Sequence, residues 1–321
     1  VKEIFEKRIK ILKYIREFLN NIGFVEVETP MMHPIPGGAE AKPFVTYHNT
    51  LEMELYLRIA PELYLKKLLV GNFEKIYEIN RSFRNEGIST LHNPEFTMLE
   101  LYYAYGDYEE MMKITEDLIC FLSHKIFGEL IFEYQNKQIN LEKPWRKIKW
   151  EDAFKEFTGI DNWRNEKKVD EKIKEYEIET EERENIFDKL ESIFKKKIQP
   201  FLINPTFIIG YPVEISPLAK TFKDNPEITE RFELFIGGIE VANAYSELND
   251  PVEQLKRFEE KVKDKSEKEK KIDYDFIEAL EYGMPPAGGL GIGIDRLVML
   301  FTNSSSIREV IFFPLLKPKN E

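Results

Sequence analysis

Two strand-like runs joined by a long polar loop constrain the fold of this chain more than any other feature. Lys75–Phe83 and Phe96–Ala104 are rich in aromatic and β-branched residues, whereas Arg84–Pro94 between them is polar. This pattern predicts an antiparallel hairpin with a long loop. Later in the chain, three more strands are predicted, at Phe207–Gly210, Phe232–Ile236 and Ile239–Tyr245.

Helical patterns accompany these strands. Apolar residues recur at helical spacing in 2–22, Pro61 precedes a predicted helix at Glu62–Val70, and Asp107 is the predicted N-cap of a helix ending at Phe127. Strands joined by hairpins, with helices packed on them and few β-α-β units, indicate the α+β class with a largely antiparallel sheet.

Two segments are unusually charged. Residues 161–198 are dense in lysine and glutamate with a helical pattern, which predicts a solvated helical insertion. Residues 251–282 predict one long charged helix or two, and the charge run Lys261–Lys271 is expected to be exposed.

The composition excludes several classes of protein. The 321 residues contain 46 Lys and Arg against 58 Asp and Glu, a net charge of -12, which argues against a chain that mainly coats nucleic acid. Hydrophobic residues make up 42%, enough for a sizeable core. A single cysteine, Cys120, excludes an internal disulfide and a multi-cysteine zinc site. Apolar runs stay well below the roughly 20 residues of a membrane span, so no membrane is expected as a partner.

The loop of the first hairpin is a candidate nucleotide site. It begins with Arg84 and Glu86, continues with His92 and Asn93, and is followed by Phe96. An arginine neutralises phosphate and carboxylate groups, and a phenylalanine offers adenine a stacking face. A surface hairpin with an ion pair would have a similar composition, so both interpretations stay open here.

A second candidate site lies on the hairpin around Gly237. Glu233 and Glu240 stand on adjacent predicted strands and could share Mg²⁺, which prefers oxygen ligands. Strand alternation places Glu240 on the opposite face from Asn243, Tyr245 and Glu247. The alternative is a sheet with one solvated face.

A third candidate is the glycine-rich run Gly288–Gly293, followed by Arg296. It matches neither a P-loop nor G-x-G-x-x-G, and glycines in a strand usually mark close approach of backbone or ligand. Arg296, near a helix start, is suitably placed for a phosphate. Tight packing alone would also explain the glycines.

Taken in order, these segments resemble the three signature motifs of class II aminoacyl-tRNA synthetases. Residues 2–30 resemble motif 1, Phe83–Phe96 motif 2 and Gly291–Arg296 motif 3. Residues 57–66 and 246–250 are similar to lysyl-tRNA synthetases in particular. The resemblance covers nearly the whole chain and is weakest over 160–200.

The resemblance implies a fold and a reaction. It implies a class II antiparallel sheet flanked by helices, in one catalytic domain over 1–321 with a charged helical insertion around 160–200. No N-terminal OB-fold anticodon-binding domain is recognisable, so the chain is expected to be an excised or minimal catalytic core. The implied reaction converts lysine and ATP, with Mg²⁺, to lysyl-adenylate and transfers lysine to tRNA(Lys). A cytoplasmic homodimer is expected, the dimer from motif 1 alone.

The resemblance also implies a role for each candidate residue. Arg84 and Arg296 would be catalytic. ATP would be bound by Arg84, Glu86, His92, Asn93, Phe96, Glu240 and Arg296. Lysine would be bound by Gly38, Glu62, Arg84, Glu100, Tyr102, Asn243, Tyr245 and Glu247. Mg²⁺ would be bound by Glu233 and Glu240.

One departure suggests an alternative acceptor. The Gly-Asn-Gly-Phe usual in lysyl-tRNA synthetases is Ala242-Asn243-Ala244-Tyr245 here, which predicts two added methyl groups and a hydroxyl in the pocket. The paralogue that ligates (R)-β-lysine to elongation factor P also has alanine at the position of Ala242. Elongation factor P is therefore the alternative acceptor, and the acidic chain predicts weak binding of tRNA.

Overall fold

A large mixed sheet is the centre of the computed structural model, which describes residues 1–181, 184–263 and 271–316. The strands are β1 Val25–Glu26, β2 Met32–His33, β3 Val45–His48, β4 Met53–Leu57, β5 Lys75–Phe83, β6 Glu95–Ala104, β7 Ile131–Tyr134, β8 Lys137–Asn140, β9 Arg146–Lys149, β10 Thr206–Ile209, β11 Thr221–Phe222, β12 Asn225–Thr229, β13 Arg231–Ile236, β14 Ile239–Ser246 and β15 Ala287–Gly293. The α-helices are α1 Lys2–Asn21, α2 Glu62–Val70, α3 Tyr108–Phe127, α4 Trp150–Thr158, α5 Glu166–Glu175, α6 Ile186–Lys197, α7 Pro251–Val262, α8 Tyr274–Glu281 and α9 Ile294–Thr302.

The main sheet has eight strands in the order β1-β5-β6-β15-β14-β13-β10-β9. β1 is parallel to β5 and β9 is parallel to β10, and every other neighbouring pair is antiparallel. The predicted α+β class with a largely antiparallel sheet is therefore confirmed. Three smaller sheets, β2-β4-β3, β7-β8 and β11-β12, lie outside it.

The two faces of the main sheet differ in polarity. On β6, Leu99 and Leu101 are buried in the main apolar core, whose helices α1, α3 and α9 pack on that face. Glu100 and Tyr102 alternate with them and point to the opposite face. Strand alternation thus separates a packed core from a polar platform.

The hairpins that the sequence predicts are confirmed. β5 and β6 pair over their whole length around the loop of residues 84–94. Gly237 and Gly238, at φ of 64° and 79°, form the tight turn between β13 and β14, where two positive φ values favour glycine. Asp107 caps α3 by accepting hydrogen bonds from the backbone N–H groups of Glu109 and Glu110.

The described residues of the charged segment 161–198 contain the helices α5 and α6, as predicted, but these helices are not merely solvated. Val169 and Ile173 of α5 and Leu190 and Ile193 of α6 are buried in a second apolar core that includes α4. A helix can carry charge on most positions and still bury one apolar stripe. Only the outer face of the insertion matches the sequence interpretation.

The segment 251–282 contains two helices, α7 and α8. In the predicted charge run Lys261–Lys271, residues 264–270 lie outside the described residues. Among the helices that the structure describes, none is both long and apolar enough to cross a membrane.

Candidate active site

The polar platform is organised in two rows that cross the central strands. In one row, Tyr102 pairs with Gly289 and Gly289 pairs with Tyr245. In the other, Glu100 pairs with Gly291 and Gly291 with Asn243. Each row has a glycine of β15 at its centre.

The glycine Gly289 is required by its surroundings. A methyl group there would lie 1.9 Å from Glu247 Oε1 and 2.7 Å from the Tyr102 ring. At Gly289 the approaching groups are side chains, so the tight-packing alternative accounts for this glycine.

Arg84 lies at the end of β5, where the predicted nucleotide loop begins. Its guanidinium is 5.1 Å from the centre of the Phe96 ring. Its Nε is buried and donates no hydrogen bond within the described residues. Burial lowers the pKa of Arg84 from its usual value, and the nearby carboxylates, Glu240 first, oppose that effect. A half-buried guanidinium whose Nε is buried without a partner suits an anionic ligand.

Arg296, in the first turn of α9, connects the loop to β14. It donates to the backbone carbonyl of Glu240 at 3.0 Å and to the Glu240 carboxylate at 3.2 Å. It also donates to Nε2 of His92 at 3.1 Å. Because a guanidinium can only donate, His92 Nε2 is the acceptor, which places the ring proton on Nδ1, 2.8 Å from Ser89 Oγ. Partial burial and then the charge of Arg296 lower the pKa of His92.

The remaining loop candidates are near one another but differ in exposure. Asn93 is buried, donates to the carbonyl of Glu95 at 2.6 Å, and has a buried Oδ1 that accepts nothing from the described residues. Glu86 is exposed, and its charge acts on both Arg84 and His92.

The facing predicted for Glu240 is wrong because of a β-bulge. The register between β13 and β14 shifts so that Leu234 pairs with Ala242 while Phe235 pairs with Glu240, which leaves Val241 as the extra residue. Glu240 therefore shares the platform face with Asn243, and strict alternation fails at Val241.

The two candidate metal ligands lie on one face, because Phe235 pairs with Glu240 and Glu233 stands two residues before Phe235 on β13. Glu233 accepts a hydrogen bond from Tyr211 at 2.8 Å and pairs with Arg231 at 2.7 Å. Burial, and then the charge of Glu240, raise the pKa of Glu233 to about 7. The described residues contain no cluster of three or more histidine, cysteine or acidic side chains for a metal. Mg²⁺ held here would take its other ligands from phosphate or water.

Ala242 and Ala244 do not line the platform. Both are buried in the main core, on the opposite face from Asn243 and Tyr245. The expected methyl groups in the pocket are therefore wrong, and only the Tyr245 hydroxyl is added there. That hydroxyl donates to Glu62 Oε1 at 2.6 Å.

Three buried carboxylates form an acidic cluster beside α2, and we refer to this cluster as the acidic pocket. Glu62 lies on α2, Glu100 on β6, and Glu247 just after β14. Burial, and then the charge of Glu62, raise the pKa of Glu100 to about 8, while Tyr102 donates to it at 3.2 Å. Burial raises the pKa of Glu247 strongly, although Lys66 opposes this. Neither buried Glu247 oxygen accepts a well-aligned hydrogen bond from the described residues.

Two further candidates border this pocket. Gly38 has a φ of 84°, and a methyl group there would lie 3.1 Å from Cβ of Glu62. Asn243 accepts a hydrogen bond from Arg231 Nε at 3.1 Å, so its amide N–H groups are available to a ligand. All the residues predicted to bind lysine lie on or beside one platform.

Sequence reasoning missed three residues of the site, Lys66, Arg231 and Tyr211. Lys66 follows Glu62 by four residues on α2, a spacing that predicts an ion pair and was a usable signal. Tyr211 lies in the second core against Trp150, so no local pattern connects it to Glu233.

Comparison with known proteins identifies the family of the chain. Residues 1–317 match the family model of class II tRNA synthetases (D, K and N). The chain is 58% identical over 325 residues to the lysine--tRNA ligase of Carboxydothermus hydrogenoformans, covering 100% of this chain and 67% of that protein. It is 57% identical over 327 residues to that of Pelotomaculum thermopropionicum, covering 99% and 64%. The chain thus spans about two thirds of the length of these curated relatives.

Proposed function

The chain belongs to the class II tRNA synthetases, among the relatives of lysine--tRNA ligases, and we propose that it activates lysine with ATP and transfers it to tRNA(Lys). The observation that carries this proposal is the acidic pocket of Glu62, Glu100 and Glu247. Three buried carboxylates placed together require cations, and lysine offers two ammonium groups.

Selectivity follows from the same pocket. The alkyl part of lysine needs an apolar wall, which the Tyr245 ring offers, while Glu100, Tyr102 and Glu247 would bind its ε-ammonium. Gly38 and Glu62 would receive the α-ammonium. Glutamine or methionine would leave buried carboxylates unpaired, and that penalty disfavours both amino acids strongly.

The chemistry requires no nucleophile from the protein. The lysine carboxylate attacks the α-phosphorus of ATP in line, the bond to the bridging oxygen breaks, and pyrophosphate leaves. Arg84 would hold the lysine carboxylate and the α-phosphate, with Asn243 on the carboxylate. Positioning and charge stabilisation supply most of the rate in such reactions.

ATP would lie along the first hairpin. Phe96 and Arg296 would enclose adenine, and the loop residues Glu86, His92 and Asn93 would contact the nucleotide. Glu233 and Glu240 fit Mg²⁺, because their carboxylates lie on one face of the β13–β14 hairpin and the charge of Glu240 acts on Glu233. The ion would neutralise phosphate charge.

Several broader features complete the proposal. We assign the reaction to one catalytic domain with a helical insertion, acting in the cytoplasm as a homodimer. Affinity for tRNA through this chain alone would be weak and sensitive to salt, because phosphate contacts require basic residues and the net charge is -12.

Lysine-dependent exchange between ATP and labelled pyrophosphate tests the activation step. We expect exchange with lysine and none with glutamine. Arg84→Ala should lower exchange by about a thousandfold, the size of effect seen when one charge-stabilising donor is removed. Arg81→Ala is the matched control, since Arg81 lies three residues before Arg84, on β5, in an exposed pair with Glu95.

The acceptor needs a separate measurement. Radioactive lysine offered with total tRNA in one tube and elongation factor P in another should label tRNA. If only elongation factor P is labelled, the acceptor is that protein and not tRNA. If pyrophosphate exchange does not depend on lysine, the proposed activation of lysine is wrong.

A further inference from the structure

The pocket that we assign to lysine already contains a lysine of the protein. Lys66 is fully buried on α2, and its Nζ lies 2.6 Å from Glu62 Oε1 and forms an ion pair with Glu247. A buried ammonium is costly unless its partners are well placed. In the proposed function, Glu62 would bind the α-ammonium group of the substrate and Glu247 would bind its ε-ammonium group.

Counting charges shows why a further cation belongs there. The pocket has three buried carboxylates, Glu62, Glu100 and Glu247, and lysine brings two ammonium groups. The carboxylate of the bound lysine would be directed to Arg84. One pocket carboxylate would therefore be without a cation, and Lys66 supplies the third positive charge.

The bonding pattern also orients the carboxylates. Both Lys66 and Tyr245 donate to Glu62 Oε1, at 2.6 Å each, and no described residue donates to Oε2. The second oxygen of Glu62 is therefore the one presented to a ligand. On the other side, Glu247 is held between Lys66 and the bare backbone of Gly289.

We propose that Lys66 is a positioning residue for amino-acid selection, which neutralises one pocket carboxylate and holds Glu62 and Glu247 apart for the two ammonium groups of lysine. This inference rests on the proposed function. It concerns the balance of charge within the pocket, and Lys66 itself does not contact the reacting atoms.

The neighbours of Lys66 determine what its loss would do. Glu62, Glu247 and Tyr245 face it directly, with the Tyr245 ring centre 5.6 Å away, while the nearby helix α8 contributes apolar side chains such as Phe276. Without the ammonium, adjacent carboxylates repel each other and retain protons at neutral pH. Lysine would then have to displace those protons in order to bind.

The test compares Lys66→Met with the unaltered protein in lysine-dependent pyrophosphate exchange between pH 6.5 and 8.5. We expect the KM for lysine to rise about tenfold or more at pH 7, the effect of roughly one unit of pKa. That increase should shrink as pH rises and the carboxylates ionise. The KM for ATP and the kcat at saturating lysine should change little.

Lys67→Met is the matched control, because Lys67 is the next residue on α2 and pairs with Asp275 at the surface. It should leave the KM for lysine and its pH profile unaltered. Lys66→Gln, which keeps hydrogen-bond donors but removes the charge, should resemble Lys66→Met in its pH profile.

Failure of this inference differs from failure of the proposed function. If the unaltered protein shows no lysine-dependent exchange, the function is wrong. If it does, and a folded Lys66→Met or Lys66→Gln protein keeps the original KM and pH profile, or binds lysine more tightly, the inference is overturned. Loss of folding in both variants would also count against it, since Lys66 would then act through the fold alone.

Discussion

The unusual protonation of Glu100 has a consequence for both stability and binding. Its pKa is raised from 4.5 to about 8, first by burial and then by the charge of Glu62. At a pH between these two pKa values, Glu100 keeps its proton in the folded protein but has lost it in the unfolded chain. The stabilisation from this group is therefore complete below pH 4.5 and is lost as pH rises through about 8.

Lysine binding at pH 7 should accordingly release a proton from Glu100, up to about one per lysine bound. Titration calorimetry in two buffers of different ionisation enthalpy measures that release. Glu100→Gln should reduce it, whereas Glu95→Gln, at an exposed position on the same strand, should not. A binding enthalpy that is the same in both buffers would contradict the prediction.

For single residues, the sequence predicted which side chains lie close together but not which hydrogen bonds and ion pairs they form. The resemblance brought Glu62, Glu100 and Glu247 together as lysine ligands, and they do surround one pocket. The spacing of Glu62 and Lys66 predicts their ion pair, but the burial of Lys66 was missed, because a lysine on a helix is usually solvated. Likewise, the facing of Glu240 depends on a bulge at Val241 that periodicity does not reveal, whereas the facing of Ala242 and Ala244 follows from strand alternation with Asn243 and Tyr245.

Three elements meet at one carboxylate behind the site. Asp295 of α9 accepts from Arg8 of α1 at 2.6 Å and from the backbone N–H of Thr97 on β6 at 2.7 Å. Arg8 also donates to Thr97 Oγ1 at 3.0 Å. Asp295 precedes Arg296 and Thr97 follows Phe96, so this cluster fixes the backbone beside both residues proposed to enclose adenine.

Breaking this cluster should be costly. Arg8→Met should lower the free energy of unfolding by about 3–5 kcal/mol, because it leaves a buried carboxylate without its cation. The double variant Arg8→Met/Asp295→Asn should lose less than the sum of the single losses. Denaturant unfolding measures both.

The exposed pair of Arg16 and Glu26 on the same helix and its neighbouring strand is the control. Arg16→Met should cost about 1 kcal/mol or less. Equal costs for Arg8→Met and Arg16→Met, or strict additivity in the double variant, would show that the cluster does not act as a unit.

Elements were predictable where the determining contacts are local. The β5–β6 hairpin, the Gly237-Gly238 turn and the Asp107 cap follow from neighbouring residues, and all are present. The second core of the insertion was not predicted, because its apolar residues are sparse in sequence and become a cluster only when α4, α5 and α6 pack together.

Over the whole molecule, sheet order was beyond the reach of sequence pattern. β6 pairs with β15, so Tyr102 meets Gly289 although most of the chain lies between them. Such a pairing depends on long-range packing, for which alternation within a strand carries no information. The resemblance to class II synthetases was what predicted the arrangement of the site.

The surface around α1 bears on the proposed homodimer. A groove of about 550 Å³ lies beside this helix, and its lining includes Ile9, Leu12, Met31 and Phe312. Ile9 is 60% exposed and Phe312 54%. Apolar side chains grouped on an exposed surface mark an interaction site. In a two-fold dimer, each of these side chains would be buried in both subunits.

We therefore expect Ile9→Glu to shift the protein from dimer to monomer, since one substitution places two charges in a two-fold interface. Sedimentation velocity over a range of protein concentrations measures the change. Val252→Glu is the control, because Val252 is 78% exposed on α7, outside that groove. If the unaltered protein is a monomer, the homodimer expected from motif 1 is wrong. If Ile9→Glu leaves a dimer intact, the dimer contact lies outside this groove.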